Sequence, residues 1–150
     1  QAFLGLAFSF GIPMAFTAVS GQIDRLAWLL MIANAIWIVA YDTEYAMVDR
    51  DDDLKLGLKS SAILFGELDR LMIGVLQGLF LFIMLVVAFH IEASWLFHIG
   101  LVSYVAFFAY QQYLIRDRDR DACFRAFLNN HWAGLVMLVS VMADLWWRST

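Results

Sequence analysis

The residues best suited to chemistry lie in one stretch, YDTEYAMVDRDDDLKLGLKSSAILFG, residues 41 to 66. If a helix runs through its first half, each residue turns about 100°, which places Asp49 and Asp53 within about 20° of Asp42. Asp52 and Tyr45 fall within about 80° on the same side, while Asp51 and Glu44 point the opposite way. Carboxylates on one stripe repel each other, so something cationic belongs between them. Oxygen ligands with no His or Cys nearby suit Mg²⁺, a hard cation that keeps several waters and is commonly shared with substrate phosphates. Lys55 and Lys59 follow at once and can neutralise phosphate oxygens as point charges. Gly57 lets the chain turn so that Lys59 comes back over the site.

The elements that hold these residues must be membrane helices. In 150 residues, apolar types make up 63% and charged types only 16%, against about 25% charged in ordinary globular proteins. Mean hydropathy is +0.72. A soluble fold of this size is excluded. A basic nucleic-acid footprint is absent, with 10 Lys and Arg against 14 Asp and Glu. One cysteine, Cys123, excludes an intrachain disulfide framework and a cysteine-based zinc site.

Five apolar stretches approach the length needed to cross a bilayer: 1–22, 26–41, 71–91, 93–115 and roughly 126–143. Gly11 and Pro13 predict a kink in the first. The Trp146–Trp147 pair reads as an interfacial anchor, and Asp144 has Arg148 one turn on as a partner. The chain opens at Gln1 inside an apolar run, with neither an initiator Met nor a basic leader, and reads as a piece of a longer protein. Alternate loops hold eight basic residues (Arg50, Lys55, Lys59, Arg70, Arg116, Arg118, Arg120, Arg125) against two (Arg25, Arg148). That asymmetry predicts that the two richly charged loops are cytoplasmic and the C-terminus lies outside.

Other polar residues invite plainer readings. The Arg-Asp alternation at 116–121 reads as a solvated loop that sets topology. His90, His98 and His131 are too scattered for a metal trio and read as interfacial or packing groups. Asn129 and Asn130 are expected at the start of the last helix, capping it or lining the mouth of the site.

With these residues in view, the run from Tyr41 to Gly66 resembles the second aspartate-rich motif of the UbiA superfamily of intramembrane aromatic prenyltransferases. The likeness rests on Tyr41-Asp42, Tyr45-Ala46-Met47, Val48-Asp49-Arg50, the Asp51–Asp53 triplet and the segment Gly57 to Gly66. It continues in Tyr110-Gln111-Gln112 and in Ala122-Cys123-Phe124, Ala126-Phe127 and Asn129-Asn130. The branch that prenylates 4-hydroxybenzoate in ubiquinone biosynthesis is the most similar.

The resemblance implies an all-α, polytopic membrane helix bundle, with about five of the nine transmembrane helices of that fold present. Residues 1–150 would then be the C-terminal portion of a single prenyltransferase domain, lacking the N-terminal helices and the first aspartate motif that completes the site. It implies that Asp49 and Asp53 coordinate Mg²⁺ on a polyprenyl diphosphate and that Asp42 supports them from a deeper turn. Lys59 would contact the diphosphate, with Arg50 and Lys55 as weaker candidates. Tyr45 would face the allylic cation or serve in packing, both roles being open. The implied partners are polyprenyl diphosphate, 4-hydroxybenzoate, membrane lipid and the N-terminal half of the same protein, with no nucleic acid. The implied location is a bacterial inner membrane, with the mitochondrial inner membrane as the alternative. Two other readings stand beside it: a sibling prenyltransferase with another aromatic acceptor, and a cation-coupled transporter subunit whose acids bind the transported ion.

Overall fold

The computed structural model describes all residues, Gln1–Thr150, and they form an all-helical bundle. Helix α1 (Ala2–Ser9) and helix α2 (Gly11–Ser20) make one apolar segment, broken where the sequence predicts a kink. The break falls just ahead of Pro13, which sits in the first turn of α2, where its missing N–H has no intrahelical role to lose. Helix α3 (Arg25–Val48) starts at a capping residue, Asp24, whose side chain accepts a hydrogen bond from the Ala27 N–H at 2.9 Å.

Helix α3 runs well past the expected end at Tyr41 and breaks at Asp49, whose φ of −96° and ψ of 4° leave the helical region. A short helix, α4 (Arg50–Leu56), resumes at once, so the stretch is nearly but not fully continuous. Gly57 stops it with a φ of +69°, a left-handed conformation that suits glycine. Helix α5 (Ser61–Phe65) and a 3-10 turn over 66–68 lead into α6 (Asp69–His90). Helix α7 (Trp95–Leu114), a 3-10 turn over 115–117 and α8 (Arg120–Ser149) complete the chain.

Four of these units are long and apolar enough to cross a membrane: 2–20, 25–48, 61–90 and 120–149. The remaining predicted segment forms α7, which is 20 residues long. Its Ser103, Tyr104, Gln111 and Gln112 dilute its apolar character, and two of these, Tyr104 and Gln111, are buried against the other helices. Asn129 and Asn130 lie inside α8, not at its start. The true cap is Asp119, which accepts from the Ala122 N–H at 2.9 Å, so α8 begins at Arg120, ahead of the expected start near residue 126.

Helix α3 packs against α1, α6 and α8, and α7 packs against α6 and α8. Two apolar cores result. The larger one holds Ala33, Phe80, Met84, Tyr104, Phe108 and Met137. The smaller lies nearer the charged loops and is built on Met47, Ile73, Ile115, Cys123 and Ala126. Outward-facing Leu79, Phe82, Val102, Leu138 and Met142 are exposed, as expected for side chains that meet lipid tails rather than water.

Between the two cores runs a layer of buried polar side chains, one from each long helix: Glu44, Gln77, Gln111 and Asn130. Asn130 Nδ2 donates to Glu44 Oε2 at 2.9 Å, and Gln77 Nε2 donates to Gln111 Oε1 at 2.9 Å and to Glu44 Oε1 at 3.5 Å. Gln111 in turn donates to Asn129 Oδ1 at 3.1 Å, and Gln112 to Gln77 Oε1 at 3.1 Å. In hydrocarbon such groups must find partners within the protein. The layer therefore fixes the register of α3, α6, α7 and α8 against one another.

Candidate active site

The end of α3 and the whole of α4 carry the acidic residues singled out by their spacing. Asp42, Asp49 and Asp53 are partly buried, Asp52 is half-exposed, and Asp51 is exposed at the edge of a pocket it shares with Arg118 and Arg120. Neither Asp42 nor Asp53 makes a side-chain hydrogen bond or ion pair. The backbone of Asp53 donates to the Asp49 carbonyl at 2.8 Å, which keeps these two residues on consecutive turns of one face despite the break.

The basic residues divide. Lys55 Nζ donates to Asp52 Oδ1 at 3.1 Å, and Lys59 is exposed with no partner. Arg50 turns away from the acidic face toward buried Asp69, at 3.6 Å. Arg120, from the second charged loop, bridges Asp52 at 3.2 Å and Asp49 at 3.6 Å. The hydrogen bond from Lys55, then the charges of Lys55 and Arg120, hold the Asp52 carboxyl below the usual carboxylate range. Spacing alone did not single out Arg120, because the 116–121 run reads as a solvated loop. The fold makes that run a latch instead.

Arg118 adopts a left-handed conformation, φ +55°, and aims its guanidinium at Asp69. The Nη2 and Nε groups donate to Asp69 Oδ1 and Oδ2 at 2.8 and 3.0 Å, and Nη2 also donates to the Glu67 carbonyl at 2.9 Å. These hydrogen bonds raise the Arg118 pKa above its ordinary value, against the opposing effect of burial. The two charged loops are thus tied together at one end of the bundle.

Below the acids lies an apolar groove of about 480 Å³, lined by Asn34, Trp37 and Tyr41 of α3 and Phe127, Asn130 and His131 of α8. Tyr45 sits on its rim, 41% exposed, with its ring 5.0 Å from that of Phe127. Tyr41 stacks at 5.9 Å on the same Phe127 and at 5.7 Å on Trp37. A water-poor, aromatic wall therefore runs down from the acidic face.

The donor set fits Mg²⁺ in a particular way. No group of three or more His, Cys, Asp or Glu side chains stands close enough to hold a metal ion by itself. The carboxylates of Asp49 and Asp53 offer only oxygen, on one face, with Asp53 unpartnered. That is the arrangement expected where one or two carboxylates share a magnesium ion with waters and phosphate oxygens.

Residues 1–138 match the UbiA prenyltransferase family. The chain belongs to that family. It is 58% identical over 146 residues to the 4-hydroxybenzoate octaprenyltransferase of Chromohalobacter salexigens, covering 97% of this chain and 49% of that protein. It is 55% identical over 141 residues to the protein of the same name from Alcanivorax borkumensis, covering 94% of this chain and 49% of the other. The corresponding protein of Pseudomonas syringae is 54% identical over 144 residues, with 96% and 49% covered. The chain spans about half the length of the curated relatives it matches. No solved structure matches it.

Proposed function

We propose that this chain is the C-terminal half of a polytopic enzyme that transfers a polyprenyl group from its diphosphate to 4-hydroxybenzoate, at the carbon ortho to the hydroxyl, in ubiquinone biosynthesis. The observation that carries the reading is that Asp49 and Asp53 stand on consecutive turns at the end of α3, whose preceding turns, at Trp37 and Tyr41, line an aromatic, apolar groove. Such a site holds a charged head at the boundary and an isoprenoid tail in the bundle. The relatives, named 4-hydroxybenzoate octaprenyltransferases, support the same class of transferred group and the same acceptor.

Asp49 and Asp53 are the proposed Mg²⁺ ligands, and Asp42 orients them from two turns deeper. A bound divalent ion supplies charge neutralisation for the departing diphosphate. Lys59, exposed and without a partner, is the lysine left free to meet diphosphate oxygens. Lys55 serves beside it, while Arg50 acts mainly on Asp69. Loss of diphosphate leaves an allylic cation, and the electron-rich ring of the acceptor attacks it and then sheds a proton. Tyr41 and Phe127 exclude water that would otherwise capture the cation. Tyr45, on the rim, presents an aromatic face to positive charge.

The eight-to-two loop asymmetry supports an inner-membrane protein with the acidic face cytoplasmic. The test uses the complete protein in membranes with octaprenyl diphosphate, Mg²⁺ and a choice of acceptors. Prenylated 4-hydroxybenzoate, lost on chelation, supports the reading. Product with a naphthoate or homogentisate only, or none with any acceptor, refutes it.

A further inference from the structure

A second cavity of about 250 Å³ lies farther from the charged end, lined by Leu30 and Ala33 of α3, Phe80 and Met84 of α6, Tyr104 of α7 and Met137 of α8. The two share only Asn34 and Trp37 among their lining residues. Trp37 is the partition between them.

Its indole is held from every side. Trp37 Nε1 donates to Asn130 Oδ1 at 2.9 Å. Asn130 Nδ2 donates to Glu44 Oε2 at 2.9 Å and to the Ala126 carbonyl at 3.1 Å. An indole N–H donates but does not accept, so Trp37 requires the amide oxygen of Asn130 to face it, which leaves the amide nitrogen to Glu44 and the Ala126 carbonyl. One turn along α8, Gly134 leaves room for the ring: a Cβ there would lie 3.1 Å from Trp37 Cη2. The rings of Phe80 and Tyr104 close in at 5.8 and 5.7 Å.

We propose that Trp37, oriented by Asn130 and Glu44, is a specificity-determining residue for tail length. It is the floor on which a short isoprenoid tail ends and the partition a long one must pass to reach the second cavity. The proposal rests on the polyprenyl-transfer reading above. Trp37 precedes Asp49 by twelve residues, roughly 18 Å of helix at 1.5 Å per residue. That is about the reach of a three-unit tail and far short of an eight-unit one.

The experiment compares farnesyl and octaprenyl diphosphates in the complete protein, wild type and Trp37→Ala, with 4-hydroxybenzoate as acceptor. The variant is expected to raise the octaprenyl-to-farnesyl ratio of kcat/KM by about fivefold or more, chiefly through KM, a size typical of a changed apolar contact. A purely structural role would lower both substrates alike, so an unchanged or reduced ratio overturns the proposal. Should the variant fail to fold, wild-type protein is labelled with a farnesyl diphosphate analogue bearing a diazirine at the tail tip. Adducts on the peptides containing Trp37 or Gly134 support the partition, and adducts confined elsewhere overturn it. Failure of the wild type to prenylate 4-hydroxybenzoate would instead count against the proposed function.

Discussion

Arg118 lays its guanidinium across both carboxylate oxygens of Asp69, at 2.8 to 3.2 Å, although the two residues lie 49 positions apart. Asp69 has no exposed side-chain surface, and Arg118 keeps 30%. The pair therefore sits in a partly dry environment where geometry is strictly met. It joins the loop that follows the acidic face to the loop that supplies Arg120.

Removing one partner of this pair leaves the other uncompensated. Arg118→Ala leaves the fully buried Asp69 carboxylate without its bidentate partner and is expected to cost about 3 kcal/mol, as for other broken buried pairs. Thermal unfolding in detergent measures the loss, and hydrogen exchange should show faster opening at residues 116–121. A melting temperature equal to wild type would contradict the latch.

Glu44 anchors the polar layer from α3. Glu44→Leu leaves the Asn130 amide and a Gln77 donor without their acceptor, at a cost of about 1–3 kcal/mol for each buried orphan. Glu44→Gln keeps the volume and one acceptor oxygen, so it should lose markedly less. Unfolding of the two variants side by side checks the order, and equal losses would show that the layer acts through packing alone.

Close approach of α7 and α8 depends on Gly100. A Cβ there would lie 2.7 Å from Ser140 Cβ and 3.1 Å from Met137 Sδ. Gly100→Ala should destabilise by about 1–3 kcal/mol, the usual cost of overpacking, read from the same unfolding assay. Small residues at such crossings let membrane helices meet closely.

Asp52 gives a pH signature with a fixed sign. Lys55 and Arg120 depress its folded pKa. Its contribution to stability is therefore present above the ordinary carboxylate value near 4 and lost as pH falls through the depressed one. Asp52→Asn should lower the melting temperature slightly at neutral pH and not at all in strong acid. Because the pair is exposed, added salt should shrink the neutral-pH difference.

Much of this was legible in the residues themselves. The apolar stretches marked the long helices, and helical arithmetic put Asp49 and Asp53 on consecutive turns, as the bond from the Asp53 N–H to the Asp49 carbonyl keeps them. The same arithmetic put Glu44 on the far side of α3 but could not say what lay there. Its signal was present as amides inside apolar segments, Gln77, Gln111 and Asn130, yet only packing shows that they converge. Arg118 and Arg120 were hidden for another reason: alternating charge has the same pattern in a wet loop as in a latch, and the partners are distant in sequence. The start of α8 was missed because a charged first turn, capped by Asp119, resembles loop.

Asp49 and Asp53 are the proposed holders of the magnesium diphosphate. The most direct test is Mg²⁺-dependent prenylation of 4-hydroxybenzoate by the complete protein in membranes, comparing wild type with Asp49→Ala and Asp53→Ala at matched expression. Each variant is expected to lose about a hundredfold or more, the scale of removing a group that stabilises departing charge. Undiminished turnover in both variants would contradict the assignment.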